Sequence, residues 1–166
     1  MKADHLFFKT LRAEPFHLDR NDDVFVIAGL VGLMHQWQML WRWSTILKRT
    51  KLALKIVAGR SVFFGVQSGG NLVSAGVLAL GYCRYYKVEP EAVVIGTVST
   101  DPKRRGEGLA TRSIKVAMNA MIGRGLTVFY IDTRGDNIAM QRSIEKLGFG
   151  RPVSNYPIVS DPDPVK

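Results

Sequence analysis

Cysteine is almost missing from this chain of 166 residues. Cys83 stands alone, so no internal disulfide can form and a disulfide-stapled secreted scaffold is excluded. Histidine is nearly as scarce: His5, His17 and His35 are scattered, and no metal site is expected from them and one thiol. The uncharged run Val24–Met34 falls well short of the roughly 20 residues that a bilayer span takes. It follows Asp19, Asp22 and Asp23, the wrong sign for the start of a signal peptide. Extending it to Trp41 takes in His35, Gln36 and Gln38, which suits a buried element better than a span. Repeats, low-complexity blocks and linkers are absent too. These absences predict one soluble, cytoplasmic domain over residues 1–160, with 161–166 as a frayed tail.

Acidic residues are outnumbered, 14 against 23 Lys and Arg, for a net charge of +9. With 46% hydrophobic and 22% charged residues the chain has the profile of a globular protein. The positive balance admits nucleic acid, membrane headgroups or a polyanionic small molecule as partner. Its distribution is more telling. Lys103, Arg104, Arg105, Arg112, Lys115 and Arg124 share one stretch with a single acid, Glu107. The aromatic residues cluster elsewhere and do not interleave with these cations, so nucleic acid is not expected.

Periodicity supplies the elements. Val24–Ile27 suits a strand, and Leu33, Met34, Trp37, Leu40, Trp41, Ser44 and Leu47 fall at helical spacing. Trp37, Trp41 and Trp43 lie here, either as core or as a wall for a ligand. Ser61–Gln67 and Leu72–Gly81 read as strands about a Ser68-Gly69-Gly70-Asn71 turn. Another turn falls within Tyr82–Glu91, and Ala92–Thr100 reads as a central strand covered on both faces. Gly96 within it suggests a bulge or the close approach of a ligand. A helix follows, with Ala110, Ile114, Ala117, Met118 and Met121 on one face, then a strand over Leu126–Asp132. Asp136 is the expected N-cap of a last helix over Asn137–Leu147, and a Pro-interrupted strand region begins at Phe149. This order predicts a mixed α/β sheet.

The chemistry concentrates between that central strand and the helix after it, in Pro102-Lys103-Arg104-Arg105-Gly106-Glu107-Gly108-Leu109-Ala110-Thr111. A helix start leaves backbone N–H groups unpaired, and their dipoles favour anions. Glycines at 106 and 108 let a bulky anion reach the main chain, and the nearby cations add charge. A GxxxxGK[ST] loop is missing, because no Lys-Ser/Thr follows the second glycine. A dinucleotide fingerprint fits only in part: its third glycine is Thr111, and too few residues follow Asp132 to complete a doubly wound sheet.

Arg105-x-x-Gly108-x-Ala110 resembles the R/Q-x-x-G-x-G/A signature of the GNAT N-acetyltransferase superfamily, with Pro102 three residues before the arginine. A second stretch, Asn137 through Lys146 to Gly148-Phe149, resembles the family's N-x-x-A-x-x-x-Y-x-K-x-G-F segment. Together they cover about residues 92–150. The resemblance implies a central, mostly antiparallel twisted sheet flanked by helices. It implies an acetyl-CoA-dependent N-acetyltransferase, a monomer or homodimer, in which a primary amine on a small molecule or a protein attacks the thioester directly. It places the diphosphate on the backbone of Arg104, Arg105, Gly106, Glu107, Gly108, Leu109 and Ala110, with the hydroxyl of Thr111. The pantetheine arm would lie along Val98, Ser99 and Thr100, with Asn137 and Lys146 facing the arm or the adenosine phosphates. Trp37 and Trp41 would belong to the acceptor wall. The chain departs from the pattern where catalysis is concerned. Ile144 stands in place of the family's tyrosine and Met140 in place of its alanine, and strand 92–100 carries no carboxylate. Glu91 and Ser143 remain the candidate base and acid, with Glu89, Tyr85, Tyr86 and Tyr130 as further possibilities. A module that binds CoA without turnover stays open as the alternative, and behind it a dinucleotide- or nucleic-acid-binding domain.

Overall fold

Runs of β-branched and aromatic residues make sheet the dominant structure. In the computed structural model, which describes residues 4–18, 23–43 and 46–156, seven strands join into one sheet. The order along the chain is β1 (His5–Leu11), β2 (Val24–Ile27), α1 (Gly29–Trp43), α2 (Ile46–Val57), β3 (Ser61–Ser68), β4 (Asn71–Leu80) and β5 (Val93–Thr100). A single 3-10 turn at Pro102–Arg104 leads to α3 (Leu109–Ile122), β6 (Val128–Arg134), α4 (Ile138–Lys146) and β7 (Ser154–Tyr156). Across the sheet the strands run β2-β3-β4-β5-β6-β1-β7. Only β5 and β6, joined through α3, are parallel. The mixed, mostly antiparallel sheet expected from the sequence is the one observed.

The hairpin turn between β3 and β4 has Gly69 at φ +56° and Gly70 at φ +73°, the geometry a two-residue turn asks for and side chains resist. Alternation along the strands divides the core between two faces. On one face Val62, Phe64, Leu78, Val93, Ile95, Phe129 and Ile131 pack with Ile114, Met118 and Met121 of α3 and with Ile144 of α4. On the other face the cover is split. Leu40 of α1 and Leu52 and Ile56 of α2 seal Phe25, Ile27, Phe63 and Ala75. Farther across, Cys83, Tyr86 and Val88 of the β4–β5 connection cover Val94, Tyr130 and Phe7. Between these two covers the sheet is left open.

Several expectations change. β1, which lies inside the sheet between β6 and β7, and α2 were not anticipated. The central strand is buried only from Ala92 to Ile95; beyond Gly96 its side chains alternate between exposed and half-buried. Asp136 does not cap α4. Asn137 does, its Oδ1 accepting from the Met140 N–H at 3.2 Å, while Asp136 pairs with Arg134. Trp37 and Trp41 are half exposed and meet edge to face at 5.4 Å, so they are not core. Ser44 and the tail 161–166 lie outside the described residues, as do the side chains of Trp43 and Leu47. Among the described residues no helix is long and apolar enough to cross a membrane.

Candidate active site

The site begins with a break in the sheet. β5 and β6 pair over Val93↔Phe129, Val94↔Tyr130 and Ile95↔Ile131, and the ladder stops there although both strands continue. The cause lies in β5. Opposite β4, Gly96 faces Val77 and Ser99 faces Ala75, so Thr97 and Val98 together span the space of Gly76. This bulge sets Thr97 at φ +52°, a conformation that costs a non-glycine residue about 1–3 kcal/mol. The strand turns away from β6, which keeps its other edge paired with β1 through Asp132↔Phe7 and Thr133↔Leu6. A wedge opens between Thr97–Thr100 and Asp132–Arg134. Gly96 sits at its apex, where an added Cβ would meet only the Val77 carbonyl oxygen, at 4.0 Å.

At the far end of β5 the chain passes through the 3-10 turn, capped by Asp101 accepting from the Lys103 N–H at 3.0 Å, and enters α3. Gly106 has φ +90° and Gly108 +76°, and a Cβ at either would meet nothing within 4 Å. Gly108 is the N-cap of the 14-residue helix, and no side chain caps it. The first-turn amides therefore start beside open space flanked by two glycines, where the helix dipole favours an anion. Arg104 and Glu107 clasp one another through two 2.6 Å contacts, and this pairing holds the Glu107 carboxyl below its ordinary range. Behind the loop, Ser113, fully buried, donates to the Ala110 carbonyl at 2.9 Å. Ser74 hydroxyl contacts at 3.3 Å to Ser113 and 3.2 Å to Thr100 then tie α3 to β4 and β5. Val98, Ser99 and Thr100 line the same side of the wedge, and Asn137 and Lys146 lie exposed at the two ends of α4.

On the opposite face, the gap between the two covers forms a cavity of about 580 Å³ that reaches the wedge at Gly96, Thr97 and Asp132. Val77, Ala79 and Val94 floor it. Leu52 and three lysines of α2 line one wall, and Cys83, Arg84 and Tyr85 the other. Asp132 is the one carboxylate in the lining, and its Oδ2 lies 2.9 Å from His5 Nδ1. The Tyr85 ring stands 6.4 Å from the imidazole, centre to centre.

The candidate acid–base residues lie in different surroundings. Glu91 is exposed in the turn before β5, and the Ser143 hydroxyl donates to the Ala139 carbonyl at 3.2 Å; neither lines the cavity. Ile144 is fully buried in the core. Glu89 accepts from Tyr130 at 2.7 Å and from Lys9, and these two donors hold its carboxyl down at about 2. Tyr86 stacks on Phe7 at 4.2 Å, leaving Tyr85 as the tyrosine of the three that reaches the cavity. Trp37 and Trp41 are outside its lining. In the sequence Asp132 stands out only as the end of the strand after a partial dinucleotide fingerprint, with no link to His5. Their pairing depends on β1, the strand that sequence pattern did not reveal.

The acetyltransferase (GNAT) family profile matches residues 31–149. The chain belongs to this family. Solved GNAT folds agree with the architecture. An acetyltransferase of the GNAT family from Colwellia psychrerythraea superposes with a TM-score of 0.63 at 22% identity, over 90% of this chain and 53% of its own. The chain thus spans about half the length of that structure. The aminoglycoside acetyltransferase AAC(6')-Iy, in complex with a bisubstrate analogue built on CoA, gives 0.60 at 17% identity, over 81% of this chain and 94% of its own. The ribosomal-protein-S18-alanine N-acetyltransferase from Escherichia coli gives 0.51 at 17% identity, over 76% and 77%. No curated protein is detectably similar in sequence. In this GNAT chain the cavity meets the wedge at Gly96, Thr97 and Asp132, and the glycine loop follows the far end of β5.

Proposed function

We propose that the protein is an acetyl-CoA-dependent N-acetyltransferase that modifies a primary amine. The observation that carries this reading is the wedge beyond Ile95, because it lies between an uncapped, glycine-flanked helix start and an open cavity that reaches Gly96 and Thr97. The amides of Arg105 to Ala110 would hold the diphosphate, with Arg104, Glu107, Leu109 and Thr111 completing the turn. Val98, Ser99 and Thr100 would pair with the amide-bearing arm as a missing strand would, and Asn137 and Lys146 would flank it. The open glycines and the uncapped helix fit such a group. An N–H of the bulged strand near Gly96 would face the thioester oxygen and stabilise the charge that develops there.

The acceptor would enter through the cavity. A neutral amine nitrogen forms the new C–N bond to the acetyl carbon as the C–S bond breaks, and the CoA sulfur leaves with the electron pair. The proton released from the amine would go to the Asp132–His5 pair, and Tyr85, in the cavity lining, would protonate the departing sulfur. Alignment supplies most of the rate, with proton transfer contributing about 10²–10⁴-fold.

The buried Ile144 supports a second reading, a CoA-binding module without turnover. A panel of amines assayed by thiol release separates the two. The enzyme reading expects CoA release with some amine, lost in Asp132→Asn; release at background with every amine, from protein that binds CoA, leaves the binding module.

A further inference from the structure

Four basic residues border the cavity. Lys48, Lys51 and Lys55 of α2 project into one wall, and Arg84 lines the wall across from them. Spacings of three and four residues put the lysines on one helix face, and at 1.5 Å per residue they extend over about 10 Å. Neither a hydrogen bond nor an ion pair among the described residues engages the three ammonium groups. Asp132, bonded to His5, is the one acid in the lining. A basic helix face is commonly just solvated. This one differs because its lysines border an open cavity together with Leu52 and the strand floor.

We infer that the acceptor is a small anionic amine: a primary amine carrying a phosphate or carboxylate, with that group held by Lys48, Lys51, Lys55 and Arg84 and its nitrogen directed to the wedge at Gly96 and Thr97. This rests on the proposed acetyl transfer and names its substrate class. The cavity volume suits a small molecule, within the range of about 300–1,000 Å³ that ligand pockets span. The oxyacid group neutralises charge that the fold has gathered in one place. The same cations disfavour the ammonium form of the acceptor and favour the neutral nitrogen that reacts, in a site whose β5 strand offers no carboxylate. A polycationic amine meets repulsion at the same wall.

The test compares O-phosphoethanolamine, β-alanine, propylamine and 1,2-diaminoethane as acceptors, alongside a short acidic peptide with a free amino terminus. The two anionic amines should exceed propylamine in kcat/KM by at least about tenfold, as expected for charge-assisted contacts. 1,2-Diaminoethane should be slowest. The advantage should shrink as added salt brings the Debye length to about 8 Å. Whichever of phosphate and carboxylate is preferred identifies the oxyacid. In the Lys51→Glu, Lys55→Glu double variant, verified as folded by its melting curve, the preference should collapse while calorimetric CoA affinity stays within about twofold. Turnover indifferent to acceptor charge, fastest with the diamine or confined to the peptide overturns the inference. So does a double variant that loses CoA affinity instead. Should no amine turn over, calorimetric binding of O-phosphoethanolamine to the CoA complex, abolished in the double variant, still supports it, and no binding overturns it. Failure of the protein to bind CoA at all is a separate result that removes the acetyl-transfer reading.

Discussion

Replacing Gly108 by leucine distinguishes an anion-binding helix start from an ordinary glycine turn. Gly108 lies at φ +76°, where a side chain costs about 1–2 kcal/mol of backbone strain. The loss of chain freedom in the unfolded state returns about 0.4–1 kcal/mol of this. The net cost of about 1 kcal/mol lowers Tm by roughly 2–4 °C in a domain of this size. No protein atom lies within 4 Å of the added Cβ, so packing contributes nothing further at that atom. Gly125, between α3 and β6, provides the matched control: φ +81°, and again nothing within 4 Å. Both leucine variants should melt a few degrees early. Only Gly108→Leu should lose CoA, because its side chain fills the space before the uncapped amides. Two charge-assisted hydrogen bonds at about 1.5 kcal/mol each amount to about 3 kcal/mol, or roughly 100-fold in Kd. Calorimetric titration of CoA reads this directly. Unchanged affinity in a folded Gly108→Leu variant, or an equal loss in Gly125→Leu, refutes the reasoning.

Three further outcomes follow from the same geometry. Asp132→Asn should lower kcat by about 10²–10⁴-fold with little change in CoA affinity, measured by steady-state thiol release beside calorimetry; an equal loss of affinity would give Asp132 a structural role. Glu89, held at about 2 by Lys9 and Tyr130, contributes stability that is present above its ordinary value of 4.5 and lost as pH falls from there toward 2. Glu89→Gln should therefore melt below the native protein at pH 7, and the difference should close across that window; a constant difference would contradict the assigned network. Gly76→Ala places a Cβ 2.5 Å from Phe64 Cζ in the core and should destabilise by about 1–3 kcal/mol in urea unfolding, whereas Gly69→Ala, in open space, should cost only its backbone strain.

The glycine loop was legible because its physics is local: two glycines, a helix start and cations lie within ten residues, and the Asn137 to Phe149 segment stands at a fixed distance beyond. β1 was hidden by its position in the sheet. Phe7 and Phe8 are adjacent but serve opposite faces, both covered, so period-two alternation is blurred. In α2 the lysines that line the cavity interrupt the apolar stripe of Leu52 and Ile56, and a helix read by hydrophobic spacing fades. Asp136 and Asn137 are equally good caps on paper. The competing ion pair with Arg134 takes the first and leaves the second to cap α4. The cavity could not be read at all. Lys51, Arg84, Thr97 and Asp132 are far apart in the chain, and only the register of β1 on β6 brings His5 to Asp132.

A crystal structure with CoA bound bears most directly on the central claim. The diphosphate should lie within hydrogen-bonding distance of the Gly106–Ala110 amides, the arm should run between Val98–Thr100 and β6, and the sulfur should emerge beside Gly96 at the cationic cavity. CoA seated along another edge of the sheet, with β5 and β6 zipped together beyond Ile95, would contradict it.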